Sequence, residues 1–469
     1  MPKENARPEE TLRFEHTPWY FKTMAMITVL LLSVGSHFSA SAISALKSTV
    51  KSVGIDNTKY GLLSSSVSLI NTLVPIVGGS LMDRFGPVAG TLGATALIVI
   101  GSLLTTLAAH YRQFAMMVVG RVVFGLGSGV IVTLQESILS TWFRSGRVLS
   151  LMIGLQLSSS QISGFLGTLL ANPLASSTHD WVWVFWVAFL LCVFSAVMNV
   201  AYLLLVRSMP QEADKERFGW AVVLAFPGVV WLIVAIEGVL CMVWAAFQII
   251  ATEYVMMRNG SIDGVAAGVI SSISQVVPIV LTPLLGMLLD RWGRRVSMLA
   301  TSVAFLFLCC TLLAYAPTVT PVVGMLFFSL SMALGPLPMI TSLGLLLPPS
   351  AIGTGLGIFK SANNAGSTIM DILVGVVQDR TAHQAYTGVL LAFIIIIIAG
   401  ALVVGVLAWV QARYYENVLE TARPEPMIAA TNDSRRLWGF LYMGLFVTML
   451  LLSWVLFFVF SIHGNSKIA

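Results

Sequence analysis

Charge is what this sequence has least of. Only 10% of its 469 residues are charged, 57% are hydrophobic, and the mean hydropathy is +0.89. A soluble globule carries about 25% charged residues, so that class is excluded. Cysteine is also scarce: Cys192, Cys241, Cys309 and Cys310 all fall inside apolar runs without metal-ligand spacing, which excludes a disulfide scaffold and reads as free core residues. The chain lacks a phosphate-cradling loop, a His-Glu-x-x-His pair and any nucleophile–base spacing, so it reads as no enzyme and calls for no cofactor or metal. Gly125-Leu-Gly-Ser-Gly129 is helix packing rather than a nucleotide fingerprint, because no strand precedes it. The polar opening, Met1 to Lys22, leads straight into a full-length apolar span, so no cleavable signal is expected and the first helix serves as the insertion signal.

What fills the chain instead is a series of charge-poor runs, each near the roughly 20 residues that cross a hydrocarbon core as helix. The expected spans are 24–45, 61–82, 88–109, 114–137, 148–171, 181–206, 226–251, 264–289, 296–316, 321–347, 353–378 and 386–411, with a thirteenth at 437–461. With the N-terminus in the cytosol, 17 of the 26 Lys and Arg lie on the inside and seven outside, an asymmetry that supports this orientation and explains the net charge of +5 better than nucleic acid does. The expected organisation is a cytosolic tail 1–22, a six-helix bundle 23–206, a cytosolic linker 207–219, a second bundle 220–411, a linker 412–436, the extra span 437–461 and a lumenal or extracellular tail 462–469. The thirteenth span has no counterpart in the first half and reads as a lipid-facing anchor or packing helix. Of the sequons Asn259-Gly-Ser261 and Asn432-Asp-Ser434, only the first falls on the expected outer side.

One stretch repeats. Gly79-Ser-Leu-Met-Asp83-Arg84-Phe-Gly86 recurs 207 residues later as Gly286-Met-Leu-Leu-Asp290-Arg291-Trp-Gly293, each copy closing the second span of its half. Halves related in this way commonly enclose a substrate path near the bilayer midplane. This turn resembles the signature loop of the major facilitator superfamily. Arg121-x-x-x-Gly125-x-x-x-Gly129 is similar to that superfamily's fourth-helix motif, and Gly375-Val-Val-Gln-Asp379 resembles a weaker echo of the loop after helix 11. Within the superfamily, Gly120-Arg-Val-Val-Phe-Gly-Leu-Gly, Ser140-Thr-Trp-Phe143, Gly154-Leu-Gln-Leu-Ser158, Ala45-Leu-Lys and Gly353-Thr-Gly-Leu-Gly357 with Asn364 resemble the lysosomal dipeptide-transporter branch. The resemblance implies a twelve-helix, all-α fold of two bundles, uniport of dipeptides, a lysosomal or vacuolar address and a single-span glycosylated accessory subunit. The chain departs from the branch at Gly129 and Gln161, where an acid and an arginine are expected for a peptide's two ends, and near Ser41, where an aspartate is expected. It also lacks an acidic dileucine signal in the N-tail, which leaves the plasma membrane open as an address.

A charged side chain at membrane depth costs about 2.5–3.5 kcal/mol or more, so each is a candidate for substrate contact. Arg121, Glu237, Lys360 and Asp371 qualify, with His37 as a titratable neighbour and Gln161 and Asn364 as neutral partners. Glu136 reads as a charge partner at the cytosolic end of its helix, near Arg144 and Arg147. Glu237 and Lys360 are expected at comparable depths and hence as a pair within the second bundle. Asp371, 11 residues past Lys360, is a second cavity charge or an outer gate. His37 is either a packing histidine or a pH-sensitive site, and Arg121 is structural or coupling.

Asp83, Arg84, Asp290 and Arg291 are the candidate gates. Asp83 should meet the free amides at 351–354 and Asp290 those at 147–150, when the bundles close on the cytosolic side. Pro87, standing where the second copy has Arg294, makes the first contact the weaker. The chain therefore reads as a transporter moving a small polar organic solute by alternating access across a lipid bilayer. Two rivals stand beside this reading: a proton-coupled organic anion or monocarboxylate carrier, and a transporter-like sensor or scaffold.

Overall fold

The computed structural model describes residues 18–46, 66–85, 87–143, 148–207, 220–259, 262–380, 386–422 and 433–466. Its long helices are α1 (Trp19–Ala45, interrupted at 31–33), α2 (Val74–Phe85, preceded by a helical turn at 66–70), α3 (Pro87–His110), α4 (Phe114–Phe143), α5 (Leu149–Ser177) and α6 (Val182–Arg207) in the first half. The second half holds α7 (Gly228–Asn259), α8 (Gly264–Trp292), α9 (Arg295–Tyr315), α10 (Pro321–Leu346), α11 (Ile352–Arg380) and α12 (Thr387–Tyr414), followed by α13 (Asp433–Ser466).

Among the described residues ten helices are long and apolar enough to cross a membrane. Large apolar side chains such as Leu190, Leu204, Val280, Ile395 and Leu402, each more than 60% exposed, face outward where lipid would cover them. The protein is an integral multi-pass membrane protein. Helices α5 and α11, at 29 residues each, are long enough but too polar to be counted with the ten. These two helices line the contact between the halves: α5 runs along α8, and α11 runs along α2 and touches α4. Second and fifth helices of opposite halves thus pair in crossed fashion, which is what a two-fold repeat produces.

Proline shapes the interface. Pro283, inside α8, has no N–H for the carbonyl of Ile279, and the Ser158 hydroxyl of α5 donates to that carbonyl instead. In the same way Pro75 leaves the carbonyl of Asn71 without its helical donor, and α2 is interrupted at 71–73. Helix α8 ends where Gly293 adopts φ +74°, and α9 starts from Arg294 in the left-handed region. The segment after α12 closes on this turn. Glu420 accepts from the Ser297 amide and hydroxyl, its carbonyl accepts from the Arg294 amide, and Arg295 donates to the carbonyl of Thr421. Residues 415–422, expected as plain linker, therefore cap α9.

Candidate substrate path and its gates

The repeated turn explains itself in three dimensions. Gly and Asp stand four residues apart in each copy and so share one face of the helix. A Cβ on Gly79 would lie 2.1 Å from the carbonyl oxygen of Gly353, and one on Gly286 would lie 2.4 Å from that of Ser150. Only glycine lets the facing helix come this close, and the following aspartate then reaches its first turn. Asp83 accepts from the amides of Gly353 (2.9 Å) and Thr354 (2.7 Å) and from the Thr354 hydroxyl (2.7 Å). Asp290 accepts from the amides of Ser150 and Leu151, both at 2.9 Å. Each carboxylate thus satisfies two otherwise orphaned donors at the positive end of a helix in the opposite half.

The end of the molecule holding both contacts is called here the latch end. Arg84 and Arg291 are exposed there, Arg291 beside the ring of Trp292. Arg147, expected beside Asp290, lies outside the described residues, as do Arg144 and Gly86. Arg294 gives the second latch no advantage: its backbone amide is turned to Glu420, and its side chain is exposed. Asp83 takes a hydroxyl as well as two amides, while Asp290 has the charge of Arg295 nearby, so the hydrogen bonds do not rank the first contact below the second.

Closure is not confined to the latch end. Helices α5 and α8 meet through Gln275, which donates to the Thr168 hydroxyl, and through Asn172, which donates to the carbonyls of Ala45 and Gly264 at the opposite end. Latch contacts, which in alternating access would go with an opening at the far end, stand here beside closure at that end on this side. The conformation is occluded along α5 and α8.

Between the ends lies a charged cluster. Lys360 on α11 forms an ion pair with Glu136 on α4, Nζ to Oε1 3.0 Å, with the glutamate side chain fully buried and the lysine 17% exposed. The pair joins the two halves. It replaces two expectations: Lys360 does not pair with Glu237, and Glu136 does not serve as an end-of-helix charge. Direction decides the first, since Glu237 lies at nearly the depth of Lys360, and depth decides the second. Glu136 lies seven residues from the end of α4 and Lys360 eight from the start of α11, about 10–12 Å in from the latch end. The long lysine stem crosses to α4, while Asn363, one turn further, donates to Glu237 Oε1. Glu237 Oε2 has no hydrogen-bond partner among the described residues, although only 2% of the residue is exposed. His37 joins from α1 with its Nε2 likewise buried and without a partner, near enough to Lys360 to feel its charge.

The remaining candidates spread along the path. Gln161 is half-buried on α5. Asn364 is half-buried and donates to the Lys360 carbonyl of its own helix at 2.7 Å. Asp371 is half-buried about 16 Å beyond Lys360 along α11. Arg121 is buried with its guanidinium 4.8 Å from the Phe124 ring centre, about 22 Å from Glu136 along α4. The structure therefore brings together His37, Glu237 and Lys360, adds Glu136 and Asn363, and leaves Arg121 and Asp371 apart. At Gly129, where the resemblance implies an acid, a Cβ would meet Asn71 Oδ1 at 2.3 Å; the neutral amide of Asn71, just before α2, fills that space.

Comparison with known proteins agrees with this architecture. The family model described as Major Facilitator Superfamily matches residues 28–256 and 234–467. The chain is 26% identical over 380 residues to the human (Homo sapiens) lysosomal dipeptide transporter MFSD1, covering 77% of this chain and 81% of the relative. The Danio rerio protein of the same name is 25% identical over 438 residues, covering 88% and 91%. Among solved structures, the proton:xylose symporter XylE superposes with a TM-score of 0.69 at 13% identity, covering 87% of this chain and 98% of its own.

Proposed function

Because the chain belongs to the major facilitator superfamily, we propose that it carries a small zwitterionic solute, a dipeptide or amino-acid-like compound, between the two bundles by alternating access. The observation that carries this reading is the buried Glu136–Lys360 pair joining the bundles, with the free Glu237 oxygen and His37 Nε2 close by. A buried charge is tolerated when it is paired, and stranding one partner costs about 3–5 kcal/mol. In the empty carrier Glu136 and Lys360 compensate each other, so the bundles can close without cargo. A solute carrying both a carboxylate and an ammonium substitutes for the pair without changing the total charge: its carboxylate takes Lys360, and its ammonium takes Glu136 or Glu237. That equivalence suits a facilitative carrier, whose empty form must return as readily as its loaded form. The names of the relatives support the dipeptide class and a lysosomal membrane as the address.

Uptake into proteoliposomes tests the proposal, using a dipeptide mixture, free amino acids and monocarboxylates with and without a pH gradient. Dipeptide or amino-acid uptake down a concentration gradient, independent of the pH gradient and lost in Lys360→Met, is the expected result. Uptake of monocarboxylates that requires the pH gradient would replace it with a proton-coupled anion carrier. Absence of uptake by well-folded protein would leave a sensor or scaffold.

A further inference from the structure

Helix α13 has two unlike faces. Tyr442, Phe446, Met449, Leu450 and Ser453 follow helical spacing and point inward: Tyr442 stacks on Trp231 at 6.4 Å, Phe446 lies 6.3 Å from the same ring, and Met449 lies against Gly238 of α7. Phe446 and Leu450 are under 8% exposed and Ser453 is fully buried, while Leu445, Leu451 and Val455 are more than half exposed on the other side. Packing on α7 and α11 makes α13 part of the second bundle. A hydrogen bond reaches the first bundle. The indole Nε1 of Trp454 donates to the Thr72 hydroxyl at 2.8 Å, and that hydroxyl, fully buried, donates to the carbonyl of Leu69. Thr72 sits in the interruption of α2 at 71–73, and α2 is the helix that carries the Asp83 latch.

We propose that α13 is a lateral clasp between the bundles: it rides on α7 and α11 and hooks α2 through Trp454 and Thr72, favouring the occluded arrangement. This rests on the alternating-access reading above. The bond itself holds Thr72 and Trp454 at one depth, and Thr72 lies 11 residues from Asp83, about 16 Å in from the latch end. Rocking of the bundles slides α2 against α11, on which α13 rides, whichever end opens. A hydrogen bond of fixed length between bodies that slide is released in both open arrangements. It is retained in the arrangement seen here.

The test is thiol accessibility at two buried interface positions, Thr282→Cys toward the latch end and Ala267→Cys toward the other, in full-length protein in proteoliposomes. Thr72→Val keeps the side-chain shape, Trp454→Phe keeps an aromatic ring of smaller size, and each removes one half of the bond. Each should raise labelling of both reporters about fivefold, the equivalent of about 1 kcal/mol for one buried neutral hydrogen bond. The double variant should do less than the sum of the two single ones, because both remove the bond between Trp454 and Thr72, while Thr72→Val also removes the bond to the Leu69 carbonyl. Thr72→Ser should restore the parent rate, and Leu451→Ala on the exposed face should leave it unchanged. Parent-like labelling in both single variants, or additive effects in the double, overturns the clasp while leaving a transporting parent intact. A parent whose reporters never label and which transports nothing overturns both this inference and the reading it rests on.

Discussion

Replacing Asp83 or Asp290 with asparagine removes a charge while keeping nearly the same volume, and it acts at one place in the cycle. Each carboxylate serves two backbone amides, one per oxygen. Asparagine offers one oxygen; its NH2 group cannot accept, so one amide at the start of α11 or α5 is left without a partner in the closed arrangement. Such a loss costs about 1–3 kcal/mol, and removing the negative charge from a helix N-terminus adds about 0.3–1 kcal/mol. In the open arrangement water serves both groups, so most of this cost falls on the closed form. A shift of about 2 kcal/mol is roughly 30-fold. A carrier open at the latch end about 1% of the time would become open roughly a quarter of the time.

The assay is labelling of Thr282→Cys by a membrane-impermeant thiol reagent applied on the latch side. Thr282 is buried against Gly154 on α5, about 12 Å in from Asp290 along α8. All four native cysteines are buried, so background labelling should be low. Both single substitutions should raise the labelling rate some 20- to 30-fold, to similar extents, and the double substitution should leave the latch end open most of the time. Unchanged labelling in variants that insert and fold normally would refute the latch and reduce the repeated turn to a folding or topology signal.

Other outcomes follow from the same geometry. Lys360→Met and Glu136→Gln should each cost several kcal/mol of stability or most of the transport, and the double variant should recover part of it, with a coupling of about 1–3 kcal/mol read from thermal melts; additive losses would dissolve the pair. The parallel cycle of Glu237→Gln with Lys360→Met should show much weaker coupling, because Glu237 is held by Asn363. Glu420→Ala should lower stability by about 0.5–2 kcal/mol by uncapping α9, with increased proteolysis in residues 415–432 as the accompanying sign. Tags at residue 469 and within 425–430 should show opposite protease access in sealed vesicles, and equal access would remove the thirteenth crossing.

The sequence carried the fold because membrane burial leaves long, simple signals. Each half repeats its turn, and the spacing of Gly79 to Asp83 and of Gly286 to Asp290 places approach and contact on one helix face. The helix starts that those aspartates meet, at 352 and 149, were legible for the same reason. Less legible were the ends of helices. α7 runs eight residues past its expected end, to Asn259, and nothing in the short-range pattern of Thr252 to Asn259 marks where lipid stops. The capping by Glu420 was also hidden, because its partner, the start of α9, lies more than 120 residues earlier in the chain and no local pattern connects the two.

The charged cluster shows where one-dimensional reading stops and what extends it. Glu136, Glu237 and Lys360 were each conspicuous as membrane-depth charges, but depth alone admits several pairings. Counting from the latch end, Glu136, Lys360 and Glu237 lie seven, eight and nine residues into their helices, so depth does not choose between the two pairings. Side-chain direction does, and no one-dimensional pattern carries it. In the sequence Glu136 reads as a partner of the arginines that follow it, where sequence proximity stands in for spatial proximity. The pairing has a consequence that a pair within one bundle would lack. A Glu237–Lys360 bond would travel intact with the second bundle through every conformation, whereas the Glu136–Lys360 bond spans the moving interface. Opening the latch end must separate its partners and hydrate them, so the charges are presented to cargo only when the path is open and neutralise each other when it is shut. Coupling of the ion pair to access then follows from its position alone.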